Sequence, residues 1–330
     1  MELRKDDFNE NVDTIYFGGG TPSVLSVLDI EKLLNKIQSL CNILPNPEIT
    51  LEANPDDLSS NYCHDLFSLG VNRLSIGIQS FFDEDLKAMN RAHTSYQAYA
   101  AVELSKAAHF KNLSIDLIYG LPNTDLNHWK KNLEIAYGMD LQHLSCYALT
   151  VEPKTALAHQ VRHQKIFIPE DAEVIDQYDY LMNTCDVNGF TQYEISNFSK
   201  PGFRSRHNSN YWKGVTYLGI GPAAHSYNGV TRRWNVANNA QYMNALKENQ
   251  SFFEEEFITA KIKYNEYIMI ALRTMEGIDL NVIDEIYKDS FLQKAGSQLH
   301  KGFIYRHKNH YRLTRSGIHL ADQVILDLFD

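Results

Sequence analysis

Five short runs rich in β-branched and aromatic residues recur along the first half of the chain: Thr14-Ile15-Tyr16-Phe17, Ile49-Thr50-Leu51-Glu52, Leu74-Ser75-Ile76-Gly77-Ile78-Gln79, Leu113-Ser114-Ile115-Asp116-Leu117-Ile118 and His143-Leu144-Ser145-Cys146-Tyr147-Ala148. Helical periodicity fills the intervals, as in Ile30, Leu33, Leu34, Ile37 and Leu40 on one face. Each strand-plus-helix unit is roughly 30 residues, the length a βα unit needs. Parallel strands cannot be joined by a hairpin and require such a crossover. Five units in a row therefore predict an α/β chain with a parallel sheet, either open or closed into a barrel. A chain of 330 residues is long enough for one large core, or for a large domain and a small one.

From about Phe257 the texture changes. Periodicity through Ile262, Tyr267, Ile270, Ala271 and Met275 predicts a helix, with a second over Leu280 to Tyr287 and a third over Phe291 to Leu299. The segment from Phe303 to Leu313 reads as a hairpin turning at Lys308-Asn309, and a last helix starts near Arg315. Helices followed by a two-stranded wing resemble a winged-helix module. The expected division is residues 1–247 and 248–330, joined by the acidic stretch Glu248 to Glu256.

The formal net charge of −10 argues against a nucleic-acid binder, because neutralising phosphates takes a basic face. Residues 256–330 hold ten Lys/Arg against ten Asp/Glu, a balance that fits a solvated surface. The opening residues are polar and give no signal peptide, and no run of about 18 apolar residues suggests a membrane anchor. A cytoplasmic protein is expected. Cys41, Cys63, Cys146 and Cys185 lack any CxxC or CxxxCxxC spacing, which predicts reduced, buried thiols and no metal cage.

In a parallel βα barrel, ligands gather at the C-terminal strand ends. The first strand ends in Gly18-Gly19-Gly20-Thr21-Pro22, where glycines let backbone N–H groups approach an anion; an ordinary βα turn would read the same. Glu52 ends the second strand, Gln79 the third, and Asp116 lies on the fourth before Tyr119-Gly120-Leu121-Pro122. A polar strand end can also cap the next helix, but Glu and Gln are poor caps. Three such ends at equivalent places point to a ligand with an ammonium and hydroxyls: Glu52 for the cationic nitrogen, Gln79 and Asp116 for the hydroxyls. Arg91, in Asn90-Arg91-Ala92-His93, can pair with a carboxylate or stand as a surface arginine.

These residues lead to a family. Tyr16-Phe17-Gly18-Gly19-Gly20-Thr21-Pro22-Ser23 resembles the glycine motif of radical S-adenosylmethionine (SAM) proteins related to oxygen-independent coproporphyrinogen III oxidase. Leu51-Glu52-Ala53-Asn54-Pro55, Arg73 to Ser80, and Asp116 to Pro122 match it in order and spacing, and the resemblance covers nearly the whole chain. It implies SAM and a [4Fe–4S] cluster as cofactors. Gly19, Gly20 and Thr21 would hold the methionyl amino group, and Glu52 and Arg91 the amino-acid part. Gln79 and Asp116 would hold the ribose, while Ala148 and the segment Gly219 to His225 would lie against the adenosyl group.

Within that family His207-Asn208-Ser209-Asn210-Tyr211-Trp212 is similar to the HNxxYW pattern of the HemW branch, as are Tyr217 to Ser226 and Arg233-Trp234-Asn235. The branch resemblance implies a heme chaperone, with heme and recipient hemoproteins as partners and His207 as the heme-binding histidine. A lone histidine would otherwise be read as a local cap. Family members carry CxxxCxxC upstream of the glycine turn. This chain is therefore expected to lack the first barrel strand, the cluster loop and the first helix, giving an incomplete radical SAM (β/α) barrel with a C-terminal winged-helix-like domain. Whether it is an enzyme stays open at this point. The alternatives are oxidative decarboxylation of coproporphyrinogen III and, disfavoured by charge, DNA binding through the wing.

Overall fold

The computed structural model describes residues 1–7, 10–153 and 155–330. They form two compact units, one of residues 12–35 with 43–205, the other of residues 1–11, 36–42 and 206–330.

The first unit is built on a seven-stranded sheet. Its strands β1 (Val12–Phe17), β2 (Ile43–Ala53), β3 (Arg73–Gln79), β4 (Leu113–Tyr119) and β5 (His143–Ala148) are the five runs expected from sequence. They lie side by side in chain order and all run parallel, with β1 at one edge. Beyond β5 come two short strands, β6 (Thr191–Gln192) and β7 (Asn197–Ser199). β7 pairs antiparallel with β5 and β6 antiparallel with β7, giving the order β5-β7-β6. Helices Ser60–Ser68, Ser95–Ala107 and Leu126–Gly138 make the crossovers. Each starts where a side chain satisfies an early backbone N–H: Ser59 accepts from Tyr62, Thr94 from Gln97 in a capping box, and Asp125 from His128.

Strand alternation sorts the side chains onto two unlike faces. Leu51, Leu74, Ile76, Ile78, Leu113, Ile115, Leu117 and Leu144 are all buried and alternate with polar neighbours. The register pairs Glu52 with Ser75, Ser75 with Ser114, and Ser114 with His143, while Asp116 pairs with Ser145. The second face is thus a row of hydroxyls, carboxylates and an imidazole. Buried parallel sheets ordinarily read apolar on both faces, so this polar face marks where the sheet does something other than pack.

The second unit holds two small antiparallel sheets. One is β8 (His225–Tyr227), β9 (Thr231–Asn235) and β10 (Phe253–Phe257), with β9 central. Part of the acidic stretch expected to act as a joint is therefore a strand: Glu254 and Glu255 lie opposite Trp234 and Arg233, and both pairs are hydrogen-bonded. The other sheet is β11 (Ile278–Asp279), β12 (Ile304–His307) and β13 (His310–Leu313), with β13 central; the β12–β13 hairpin turns at Lys308, as the sequence indicates. Helices Ala260–Leu272, Glu285–His300 and Ala321–Leu328 pack a core of Tyr264, Ile268, Phe291, Tyr311, Ile325 and Leu328. The two helices expected over 280–287 and 291–299 are one. Asp284 caps its start at Glu285, and Lys288-Asp289-Ser290 contains no glycine or proline to break it. Among the described residues no helix is long and apolar enough to cross a membrane.

Ile76 is fully buried at the centre of the apolar face. Ile76→Ala should lower stability by about 2–5 kcal/mol in urea unfolding. Ile286→Ala, at an exposed position, should change it by less than about 0.5 kcal/mol.

Candidate functional site

At the C-terminal ends of β1 to β4 the first unit contains a cleft of about 150 Å³. Gly20, Thr21, Glu52, Gln79, Arg91 and Asp116 line it, so six of the residues singled out from sequence converge on one place. Gly19 does not line the cleft, but its backbone N–H donates to Glu52 Oε2 at 3.2 Å. The Tyr16 hydroxyl donates to the other oxygen of Glu52 at 2.7 Å. Burial and the neighbouring Glu52 push the Tyr16 phenol far above its ordinary range, so it stays a donor. The glycine turn therefore works here by fixing a carboxylate. Gly19 and Gly20 both have positive φ, +77° and +73°, which a side chain would resist.

Arg91 lies across the mouth of β3. Its Nη2 donates to Asn54 Oδ1 at 2.8 Å and to the Gly77 carbonyl at 3.1 Å, leaving donors of the same guanidinium for a ligand. Gly77 makes this approach possible, since a Cβ there would come within 3.3 Å of Arg91 Nη2 and 3.0 Å of Gln79 Nε2. Gln79 itself has φ +66°, an uncommon value for a non-glycine residue, and the β3–β4 register shifts beside it. The bend turns its amide into the cleft.

Asp116 is half-buried, and Ser75 Oγ donates to its Oδ1 at 3.3 Å. Burial pushes its carboxyl up to about 6; hydrogen bonding from Ser145 and the charge of Arg73 oppose the shift, while Glu52 adds to it. Deeper on the same face, Ser114 bonds His143 Nδ1 at 2.7 Å, and His143 Nε2 bonds the Tyr193 hydroxyl at 2.7 Å. Burial holds that histidine neutral.

Sequence reading missed Asn54, Ser75 and Gly77 as lining residues. Period-two counting back from Gln79 would have found Gly77 and Ser75. Ala148 ends β5, register-paired with Tyr119, and is not among the lining residues. His207 and His225 belong to the second unit. There His207 sits on the short helix Arg206–Trp212, with Nε2 3.1 Å from the Tyr211 hydroxyl. The Tyr211 ring packs edge-on against His207 and against Tyr217, and Tyr217 continues to Tyr227. His225 is exposed, with its ring 6.4 Å from that of Trp234.

The donor set for an iron–sulfur cluster does not fit. Cys63, Cys146 and Cys185 are buried free thiols, and among the described residues no three His, Cys, Asp or Glu side chains converge to hold a metal.

Parallel βα units with a carboxylate-and-arginine cleft at the strand ends define the class, and the family model of the radical SAM superfamily matches residues 1–136. A solved structure described as coproporphyrinogen III oxidase (HemN) from Escherichia coli, a radical SAM enzyme, superposes with a TM-score of 0.85 at 21 % identity; the match covers 99 % of this chain and 80 % of that one. Heme chaperone HemW of Lactococcus lactis is 34 % identical over 96 % of this chain and 84 % of its own length. That of Bacillus subtilis is 33 % identical over 95 % and 84 %, and that of Escherichia coli 29 % over 96 % and 84 %. The chain belongs to the HemW family.

The weakened acidity of Asp116 fixes a pH dependence. A carboxyl that ionises less readily folded than unfolded leaves the folded state holding the extra proton, so stability falls as pH rises from about 4 to about 6. Asp116→Asn should therefore unfold at higher urea than the unaltered chain near pH 7, with the gain vanishing near pH 4. A gain of equal size at both pH values in D116N would contradict this.

Proposed function

We propose that this chain binds heme and passes it to apo-hemoproteins in the cytoplasm, with SAM held at the strand ends. Family membership carries the reading, since the HemW relatives are named heme chaperones. The local geometry supports it: His207 offers an imidazole and Tyr211 a partly exposed ring beside it. A neutral imidazole is a good axial ligand for heme iron, and aromatic rings give a macrocycle apolar area. The Tyr211 hydroxyl would leave Nε2 when iron takes its place.

For SAM the fit is chemical. Glu52, oriented by Tyr16 and Gly19, would take the methionyl ammonium, and Arg91 the carboxylate. Gln79 and Asp116 would take the ribose hydroxyls, with Ala148 and His225 toward the adenosyl end. SAM together with a [4Fe–4S] cluster supplies radical chemistry in the superfamily; among the described residues the cysteines of this chain do not converge to hold one. The same reading makes residues 1–247 the radical SAM barrel part and residues 248–330 a winged-helix-like domain, the latter supported by the separate core around Phe291 and Tyr311.

Heme titration tests the central claim. His207→Ala should shift or abolish the Soret band of the heme complex while circular dichroism stays unchanged; a wild-type spectrum would remove His207 as ligand. Glu52→Ala should leave the Soret band alone and weaken binding of a SAM analogue by about 1–3 kcal/mol in calorimetry.

A further inference from the structure

Arg73, the first residue of β3, is 1 % exposed and is among the largest fully buried side chains. A buried guanidinium is costly unless carboxylates pair with it directly. Among the described residues, however, none forms an ion pair with Arg73, and its Nε has no hydrogen-bond partner. Its register partner on β2, Thr50, also has a buried hydroxyl without a partner. Both lie on the polar face, two residues below Ser75 and Glu52, which line the cleft. An unshared cation thus stands directly under a site containing two carboxylates.

Its charge still reaches Asp116 and the Tyr16 hydroxyl that holds Glu52. Burial raises Asp116 and Arg73 pulls it back; burial and Glu52 raise Tyr16 and Arg73 again opposes them. Burial holds His143 neutral, and Arg73 adds to that, so His143 cannot serve as a competing cation. We propose that Arg73 is the counter-ion of the polar face: it neutralises Glu52 and Asp116 through space without occupying an oxygen of either. Asp116 then stays charged, and both carboxylates keep their lone pairs for a ligand that brings an ammonium and hydroxyls. A direct Arg–carboxylate fork would supply the same charge but consume the acceptors. Arg73 is accordingly a positioning residue for the cleft. The proposal rests on the strand-end cleft being the nucleoside site.

Other groups around Asp116 are Tyr16 from β1, Glu52 from β2, Ser75 from β3, and Ser145, Cys146 and Tyr147 from β5. All are neutral or negative near pH 7; of the two cations, Arg91 stands at the mouth of the cleft, held on Asn54 and Gly77, and Arg73 is the buried one beneath it.

The test is carbon NMR titration of the full chain labelled at aspartate, with the Asp116 signal identified by its loss in D116N. In R73M, Asp116 should titrate at least about one pH unit higher than in the unaltered chain. Relative to the unaltered chain, binding of S-adenosylhomocysteine, followed by calorimetry, should fall about tenfold near pH 5 and match it near pH 9, since below both titration points one unit is a factor of ten in the ionised fraction. R73K keeps the charge and should restore the titration and bring affinity to within about twofold. An unmoved Asp116 in R73M, an affinity loss equal at both pH values, or an R73K displaced as far as R73M would each overturn the role. If D116N binds the probe as tightly as the unaltered chain, the cleft is not the nucleoside site, and the titration still decides whether Arg73 acts on Asp116.

Discussion

The two unlike faces of the parallel sheet are the constraint on which the rest depends. Alternation along β2 to β5 places Leu51, Leu74, Ile76, Leu113, Ile115 and Leu144 on one side at nearly zero exposure. Burying them against crossover helices is the main source of stability for the unit. The same alternation commits Thr50, Arg73, Ser75, Ser114, Asp116, His143 and Ser145 to the opposite side, where most are also buried. Buried polar groups must find partners. They do so across the sheet, in Tyr16–Glu52, Ser75–Asp116 and Ser114–His143–Tyr193. Thr50 and the Nε of Arg73 are the exceptions, and they lie side by side under the cleft.

Preorganisation of the cleft follows from that network. Glu52 is held at both oxygens and Arg91 at two acceptors, so neither long side chain must be ordered when a ligand arrives. The arrangement works against stability. Asp116 is kept where its charge is unfavourable, Gln79 takes a positive φ, and Arg73 is buried without an ion pair among the described residues. Such departures from local preference gather at functional sites. The second unit shows no comparable strain at His207, whose helix is short and whose neighbours are aromatic.

Much of this was legible beforehand. The five strands and the β12–β13 hairpin follow from periodicity and turn residues, which are local signals. Two readings failed for a shared reason. The helix over 285–300 was divided because its apolar positions are sparse between Tyr287 and Phe291, although no breaker lies there. The acidic stretch looked like a linker because nothing near it in sequence could reveal that Glu254 and Glu255 face Trp234 and Arg233 some twenty residues earlier. Charge composition describes a segment; a partner strand decides what the segment becomes.

For the site, the sequence alone determined which groups stand at strand ends. A strand's last residue and its period-two neighbours are properties of the chain, so Glu52, Gln79 and Asp116 could be named without coordinates. What those groups do to one another was decided only by the tertiary structure. Tyr16 reaching Glu52, Arg91 crossing Gly77 to Asn54, and Arg73 lying buried beside Thr50 are relations between different strands and loops. They depend on the sheet's register and on how deeply each charge is buried. Coulomb interaction and desolvation depend on distance through space and on the surrounding medium, and neither is written in the order of residues along the chain.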